Sequence, residues 1–160
     1  MDYLWSPWRM QYLQENKTES EGCVFCAIAA GEEDERVLAR TDLSYAVLNK
    51  YPYNPGHLMI VPKRHVSDLT DLEAAEHLDM QELLARSERA LRGAGDPHGF
   101  NIGMNLGRVA GAGIPDHLHW HLIPRWGGDT NFMPAIGQTR VLPELLADSY
   151  ERLKPFFEDA

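Results

Sequence analysis

The sequence predicts an α+β domain on a mostly antiparallel sheet of about five strands, and three observations carry that reading. Short apolar segments, several alternating with period two, are separated by turn clusters instead of long connections. One long amphipathic stretch, Leu72 to Leu91, interrupts them, and a second helix-like stretch, Leu142 to Phe157, lies near the C-terminus. The 160 residues are 44% apolar and 24% charged, a globular composition, with no internal repeat and no linker. We read one domain over residues 1–160, with a core over 22–125, an N-terminal extension over 1–21 and a C-terminal helix over 140–160.

In chain order, Pro7 is placed to start a short helix or turn that Trp5, Trp8, Tyr12 and Leu13 anchor. Val37 to Ala39 and Tyr45 to Leu48 read as strands around a polar turn. The cluster Pro52, Asn54, Pro55, Gly56 makes the next turn and feeds the apolar strand His57 to Val61, which Pro62 stops. Thr70-Asp-Leu-Glu73 matches a capping box, which satisfies free amides at a helix start. Leu72, Met80, Leu84 and Leu91 then form one helical stripe, ended by Gly93 and Gly95. Phe100 to Asn105 alternates strictly, Gly107 to Gly113 is glycine-rich, and His117 to Ile123 alternates again. Pro143 opens the last helix.

With 24 acidic and 15 basic side chains the net charge is -9, which disfavours nucleic-acid or anionic-membrane partners but not a small phosphorylated ligand. No apolar run reaches the ~18 residues of a membrane span, and no basic-then-apolar leader is present, so the cytoplasm is the expected location.

The chemistry concentrates in Asp116-His-Leu-His-Trp-His-Leu-Ile-Pro124. On a strand, His117, His119 and His121 share one face, successive ones roughly 6.6 Å apart, while Leu118, Trp120 and Leu122 face the core. A polar sheet face and a metal-binding triplet are alternative readings. Upstream lie a strand presenting Asn101, Gly103 and Asn105, and the loop Gly107-Arg-Val-Ala-Gly-Ala-Gly113. Glycines let backbone amides approach a phosphate and form an anion-binding concavity. Imidazole is nucleophilic at neutral pH, so the combination points to nucleotidyl or phosphoryl transfer through a phosphorylated histidine. No Gly-x-x-x-x-Gly-Lys-Ser/Thr loop and no Gly-x-Ser-x-Gly elbow occurs.

His-Leu-His-Trp-His-Leu-Ile resembles the alternating signature of the histidine-triad (HIT) superfamily, Pro55-Gly-His-Leu-Met-Ile-Val-Pro62 its upstream strand, and Asn105-Leu-Gly107 its Asn-x-Gly element. The resemblance runs from about Cys23 to Arg125 and implies an α+β fold that pairs into a dimer with a continuous sheet, acting on nucleotide α-phosphates. It implies that His119 is the nucleophile, that His121 stabilises the phosphate, and that His57 borders the phosphate pocket. Asn49 would bind the ribose and Asn105 would reach the phosphates, Gly107, Gly111 and Gly113 lining that loop. A strand-end turn residue and a turn histidine are the plainer readings of Asn49 and His57. From Asn105 to Met133 the chain resembles the branch of bacterial diadenosine tetraphosphate phosphorylases, in which inorganic phosphate attacks an adenylyl-histidine. Gly113 and Ile114 stand where many members have Gln and Ser or Thr, and Ile114 cannot donate a hydrogen bond. Trp126, on a loop read as flexible from Trp126 to Asp129, is expected either to stack on or shape the pocket or to be an ordinary packed aromatic.

Cys23-Val-Phe-Cys26 has the spacing of half a zinc site. By resemblance to HIT relatives and to galactose-1-phosphate uridylyltransferases that use two cysteines and two histidines, His65 and His117 supply the other half. His117 would then be a ligand and spacer. Two buried free thiols are the other reading, and a redox pair lacks its thioredoxin-like setting. His77 and His98 read as solvated, and Lys63 and Arg64 as surface charges. The leading function is therefore phosphorolysis of dinucleoside polyphosphates through adenylyl-His119, with adenine nucleotides and inorganic phosphate as substrates. A hydrolase of dinucleoside polyphosphates or phosphoramidates and a non-catalytic nucleotide-binding regulator are the alternatives.

Overall fold

A computed structural model describes residues 22–129 and 144–158. Its strands are β1 (Val37–Arg40), β2 (Ser44–Leu48), β3 (Leu58–Pro62), β4 (Gly99–Gly103) and β5 (Trp120–Arg125). Its helices are α1 (Val24–Ala29), α2 (Ala74–Gly95), α3 (Leu146–Leu153) and α4 (Pro155–Glu158), with 3-10 turns at Leu69–Asp71 and Arg108–Ala110. The five strands form one sheet in the order β1-β2-β3-β5-β4, every pairing antiparallel, as the alternation predicts. The readings on Trp5, Trp8, Tyr12, Leu13 and Pro143 lie outside the described residues.

β2 and β3 are buried at every position because both sheet faces are covered. Ala46, Leu48, Leu58 and Ile60 face α2, whose Met80, Leu83, Leu84 and Leu91 join them in the larger core. The residues between them, Tyr45, Val47, Met59 and Val61, face α1 and pack on Phe25 and Ile28. Period two in the strands and a helical stripe in α2 thus make two apolar layers from one sheet.

Four local expectations need correction. The box that opens α2 lies three residues later: Glu76 accepts from the Glu73 amide at 2.8 Å, while Thr70 belongs to the preceding 3-10 turn, capped by Asp68. Of the two glycines expected to end α2, Gly95 is its last residue, whereas Gly93 lies inside the final turn, where α4 crosses and a Cβ would meet Phe156 at 2.6 Å. Asp96 takes the left-handed cap instead, at φ 42°. The C-terminal helix divides into α3 and α4 at Lys154, because Pro155 has no amide to continue the ladder.

The fourth correction shapes the site. β5 begins at Trp120, and its ladder with β3 holds only Leu58–Leu122, Met59–His121 and Ile60–Trp120. Beyond it Pro62 offers no N–H, its carbonyl is taken by the His117 ring, and the Leu118 amide donates to Val66 at 2.7 Å. His117 and His119 therefore precede the strand, on a stretch where the sheet opens.

Candidate active site and metal centre

His121 pairs with Met59 and so lies on the α1 face, the face that His57 shares by alternation. Five imidazole rings follow one another across it. His65 meets His117 edge-on at 5.1 Å between centroids, His119 meets His121 edge-on at 4.9 Å, and His121 meets His57 at 5.1 Å. The Phe25 ring bridges the remaining gap, 5.4 Å from His117 and 5.1 Å from His119. Tyr53 covers the far end, 4.8 Å from His57.

Hydrogen bonds assign the ring protons. A carbonyl only accepts, so His119 donates Nδ1–H to the His117 carbonyl at 2.9 Å and keeps its lone pair on Nε2. His117 donates Nε2–H to the Pro62 carbonyl at 2.9 Å and keeps its lone pair on Nδ1. The Tyr53 amide donates to His57 Nδ1 at 3.1 Å, so His57 donates Nε2–H to His121 Nδ1 at 2.9 Å. That leaves His121 presenting Nε2–H. A lone pair on His119 and a donor on His121 stand side by side.

Burial disfavours the charged imidazoles. It pushes His119 below the usual histidine range, partly offset by the His117 carbonyl, and does the same to His117, partly offset by Pro62. His121 falls to about 4 through burial and the neighbouring His119. These three rings are neutral at pH 7, as a nucleophile and a hydrogen-bond network require.

On the other side of His117, Cys23, Cys26, His65 and His117 place their ligand atoms within 4.8 Å of one another. Cys23 Sγ lies 3.3 Å and Cys26 Sγ 3.6 Å from His117 Nδ1, and Cys26 Sγ lies 3.2 Å from His65 Nδ1. Tetrahedral zinc holds sulfur and nitrogen ligands about 3.6 Å apart, so the set fits, and the tautomer of His117 already turns its lone pair inward. Burial and the adjacent Cys23 push the Cys26 thiol up, a strain that a bound cation relieves. Four protein ligands make a closed structural site with no open position for chemistry.

The HIT domain model matches residues 30–128. The chain belongs to the HIT family. It is 46% identical over 154 residues to an AP-4-A phosphorylase of Mycobacterium tuberculosis, covering 91% of this chain and 79% of the relative. It is 33% identical to an adenosine 5'-monophosphoramidase of Schizosaccharomyces pombe over 64% of this chain and 74% of that one. Among solved structures it is similar to a zinc-bound histidine triad protein from Mycobacterium smegmatis, with TM-score 0.71 and 30% identity, covering 87% of this chain and 95% of that one.

The remaining HIT-motif residues distribute unevenly. Asn49 lies at the base of the β2–β3 connection: its amide pairs with the His57 carbonyl at 2.9 Å, and its side-chain oxygen receives the Tyr51 amide at 2.9 Å. The turn role expected of Asn49 is thus present beside His57. The loop from Asn105 to Asp116 leaves β4 next to His121, since Gly103 pairs with it, and returns at His117. Gly107 and Gly111 take positive φ, 78° and 94°, around the 3-10 turn, and Gly113 is exposed. The Asn105 side chain sits at the base of that loop, 3.5 Å from the Gly111 carbonyl.

Trp126 departs from expectation. Its indole donates to the Gly95 carbonyl at the end of α2, at 3.0 Å, past the opposite end of β5 from the triad. Nor is its loop loose. Arg125 grips Asp129 through two bonds of 2.6 and 2.8 Å, Asn54 adds one of 2.8 Å, and His98, expected to be solvated only, receives the Gly127 amide at 2.8 Å. These partners hold the Asp129 carboxyl far below the usual carboxylate range. Arg64 pairs with Glu76 at 2.6 Å, so it is a paired charge. Phe25 and Tyr53 were not legible as site residues. The only signal available was their position, inside Cys-x-x-Cys and four residues before His57.

The His121 shift has a sign that folding stability must follow. Its folded value, about 4, lies below the ordinary 6.5, so the unfolded chain binds the proton first on acidification. This contribution is fully present above pH 6.5 and is lost as pH falls toward about 4. The denaturant midpoint is expected to drop between about pH 7 and about pH 5, before carboxylates titrate. A flat midpoint across that window would contradict a buried neutral His121.

Proposed function

We propose that the chain phosphorolyses diadenosine tetraphosphate to ATP and ADP through an adenylyl intermediate on His119. The observation that carries the reading is the His119 tautomer, fixed by a carbonyl with its lone pair on Nε2, in a chain 46% identical to an AP-4-A phosphorylase. In the first half-reaction Nε2 attacks an α-phosphorus, the N–P bond forms, and the bridging P–O bond breaks so that ATP leaves with the electron pair. In the second, an oxygen of inorganic phosphate attacks that phosphorus, ADP forms, and the electron pair returns to Nε2. His121 Nε2–H donates to a phosphoryl oxygen as charge develops, and His57 orients it. The backbone around Gly107, Gly111 and Gly113, with Asn105, takes the polyphosphate, and Asn49 takes the ribose. With no donor at Ile114, that loop binds through amides.

Cys23, Cys26, His65 and His117 hold zinc in this reading, which supplies a structural tie between α1 and the histidine segment. Among the described residues no strand pairs with the outer edge of β4, where Ile102 is 46% exposed, which supports a sheet continued into a second copy. No described helix is long and apolar enough to cross a membrane, and a cytoplasmic location agrees with that.

The phosphoramidase relative favours a second reading, in which water takes the place of phosphate. Incubation with diadenosine tetraphosphate, with and without inorganic phosphate, separates the two. ATP plus ADP formed only when phosphate is present is the expected result. AMP formed at the same rate without phosphate would overturn phosphorolysis in favour of hydrolysis.

A further inference from the structure

Phe25 sits between the two cysteines in sequence and between the two chemical groups in space. It is 3% exposed, on a six-residue helix too short to hold itself in place. Its carbonyl receives the buried Tyr45 hydroxyl at 2.9 Å, and its ring packs edge-on against His117 and tilted at 59° against His119. His117, meanwhile, is held at both ring nitrogens, by Pro62 at 2.9 Å and by Cys23 at 3.3 Å, and its own carbonyl fixes His119 Nδ1. Two contacts therefore converge on His119, one from the Phe25 ring and one from the His117 carbonyl, and both adjoin the sulfur–imidazole group.

We infer that Phe25 is a positioning residue for His119, and that the Cys23–Cys26–His65–His117 group sets the nucleophile's orientation through Phe25 and the His117 carbonyl. The inference rests on the reading of His119 as nucleophile. Close ring packing, edge-on at His117 and tilted at His119, restricts ring rotation, and a small loss of alignment at a reacting atom is costly in rate.

The test reads histidine tautomers directly by 15N NMR, alongside kinetics, in three samples: wild-type protein with zinc, wild-type protein stripped by a chelator, and Phe25→Leu with zinc. Wild-type protein should show His119 protonated at Nδ1 alone. Phe25→Leu should show exchange between tautomers, with kcat lower on the order of 10- to 100-fold and KM within about threefold, at unchanged zinc content. Stripped wild-type protein should show the same exchange, and zinc added back should reverse it. A single Nδ1–H signal persisting in either Phe25→Leu or stripped, folded protein overturns the inference. If Phe25→Leu fails to fold, Phe25→Met, whose unbranched side chain adapts to an irregular gap, is read by the same criteria. His119→Ala separates the two readings: normal turnover there sinks the nucleophile assignment, whereas an unaltered spectrum in Phe25→Leu sinks only the positioning role.

Discussion

His119→Ala is expected to lower kcat by about ten-thousand-fold or more, an increase of about 5–6 kcal/mol in the barrier, while nucleotide affinity changes only a few-fold. His119 is the ring whose lone pair is fixed on Nε2 beside the donor of His121. His117 has its lone pair turned to the cysteines, and His121 uses its own to accept from His57. Without the nucleophile both half-reactions lose their common intermediate, and direct attack by phosphate on the dinucleotide must compete unaided. The contacts proposed for ribose and polyphosphate lie on other residues, so a Kd measured by calorimetry is expected to hold. Intact-mass analysis after rapid acid-free quenching should show an added adenylyl group on wild-type protein and none on the variant. An alanine variant that turns over within tenfold of wild type would remove His119 from the chemistry.

Removal of zinc, or Cys23→Ser, is expected to cost stability more than any surface change. A ligand bound at a thousand times its Kd stabilises by about 4 kcal/mol, and for a chain of this size each kcal/mol moves Tm by about 2–4 °C. Chelation should therefore lower Tm by roughly 8–16 °C. Purified protein should carry about one zinc per chain by elemental analysis. The physical reason is topological: the cysteines flank Phe25 at the start of α1, His65 follows β3, and His117 precedes β5, so one ion held there would join three segments distant in sequence. A Tm indifferent to chelation, with well under one equivalent of metal, would leave two free thiols as the correct reading.

Much of this was legible from sequence where a pattern repeats within a few residues. Alternation in His117 to Ile123 put Leu118 and Leu122 in the core, which is where they lie, although of the three imidazoles only His121 belongs to the strand itself. The Leu72, Met80, Leu84, Leu91 stripe likewise faces the sheet. Local pattern failed where a distant partner decides. Trp126 is anchored by Gly95, 31 residues away, and Asp129 by Asn54, 75 residues away, so neither loop rigidity nor indole direction was visible in Trp-Gly-Gly-Asp. Capping chemistry was recognised but placed too early: Thr70 belongs to a 3-10 turn capped by Asp68, and the box that opens α2 is formed by Glu73 and Glu76. The roles of Phe25 and Tyr53 depend on ring packing, for which a single sequence has no period.

Because the three triad imidazoles are held uncharged, the catalytic face adds no cationic field of its own to a chain of net charge -9. An anionic dinucleotide is thus expected to approach against long-range repulsion and to be captured by contacts at close range. Added electrolyte, which shortens the Debye length to about 8–10 Å near 0.1–0.15 M, relieves that repulsion, so encounter with substrate should quicken with ionic strength, the reverse of a steered enzyme.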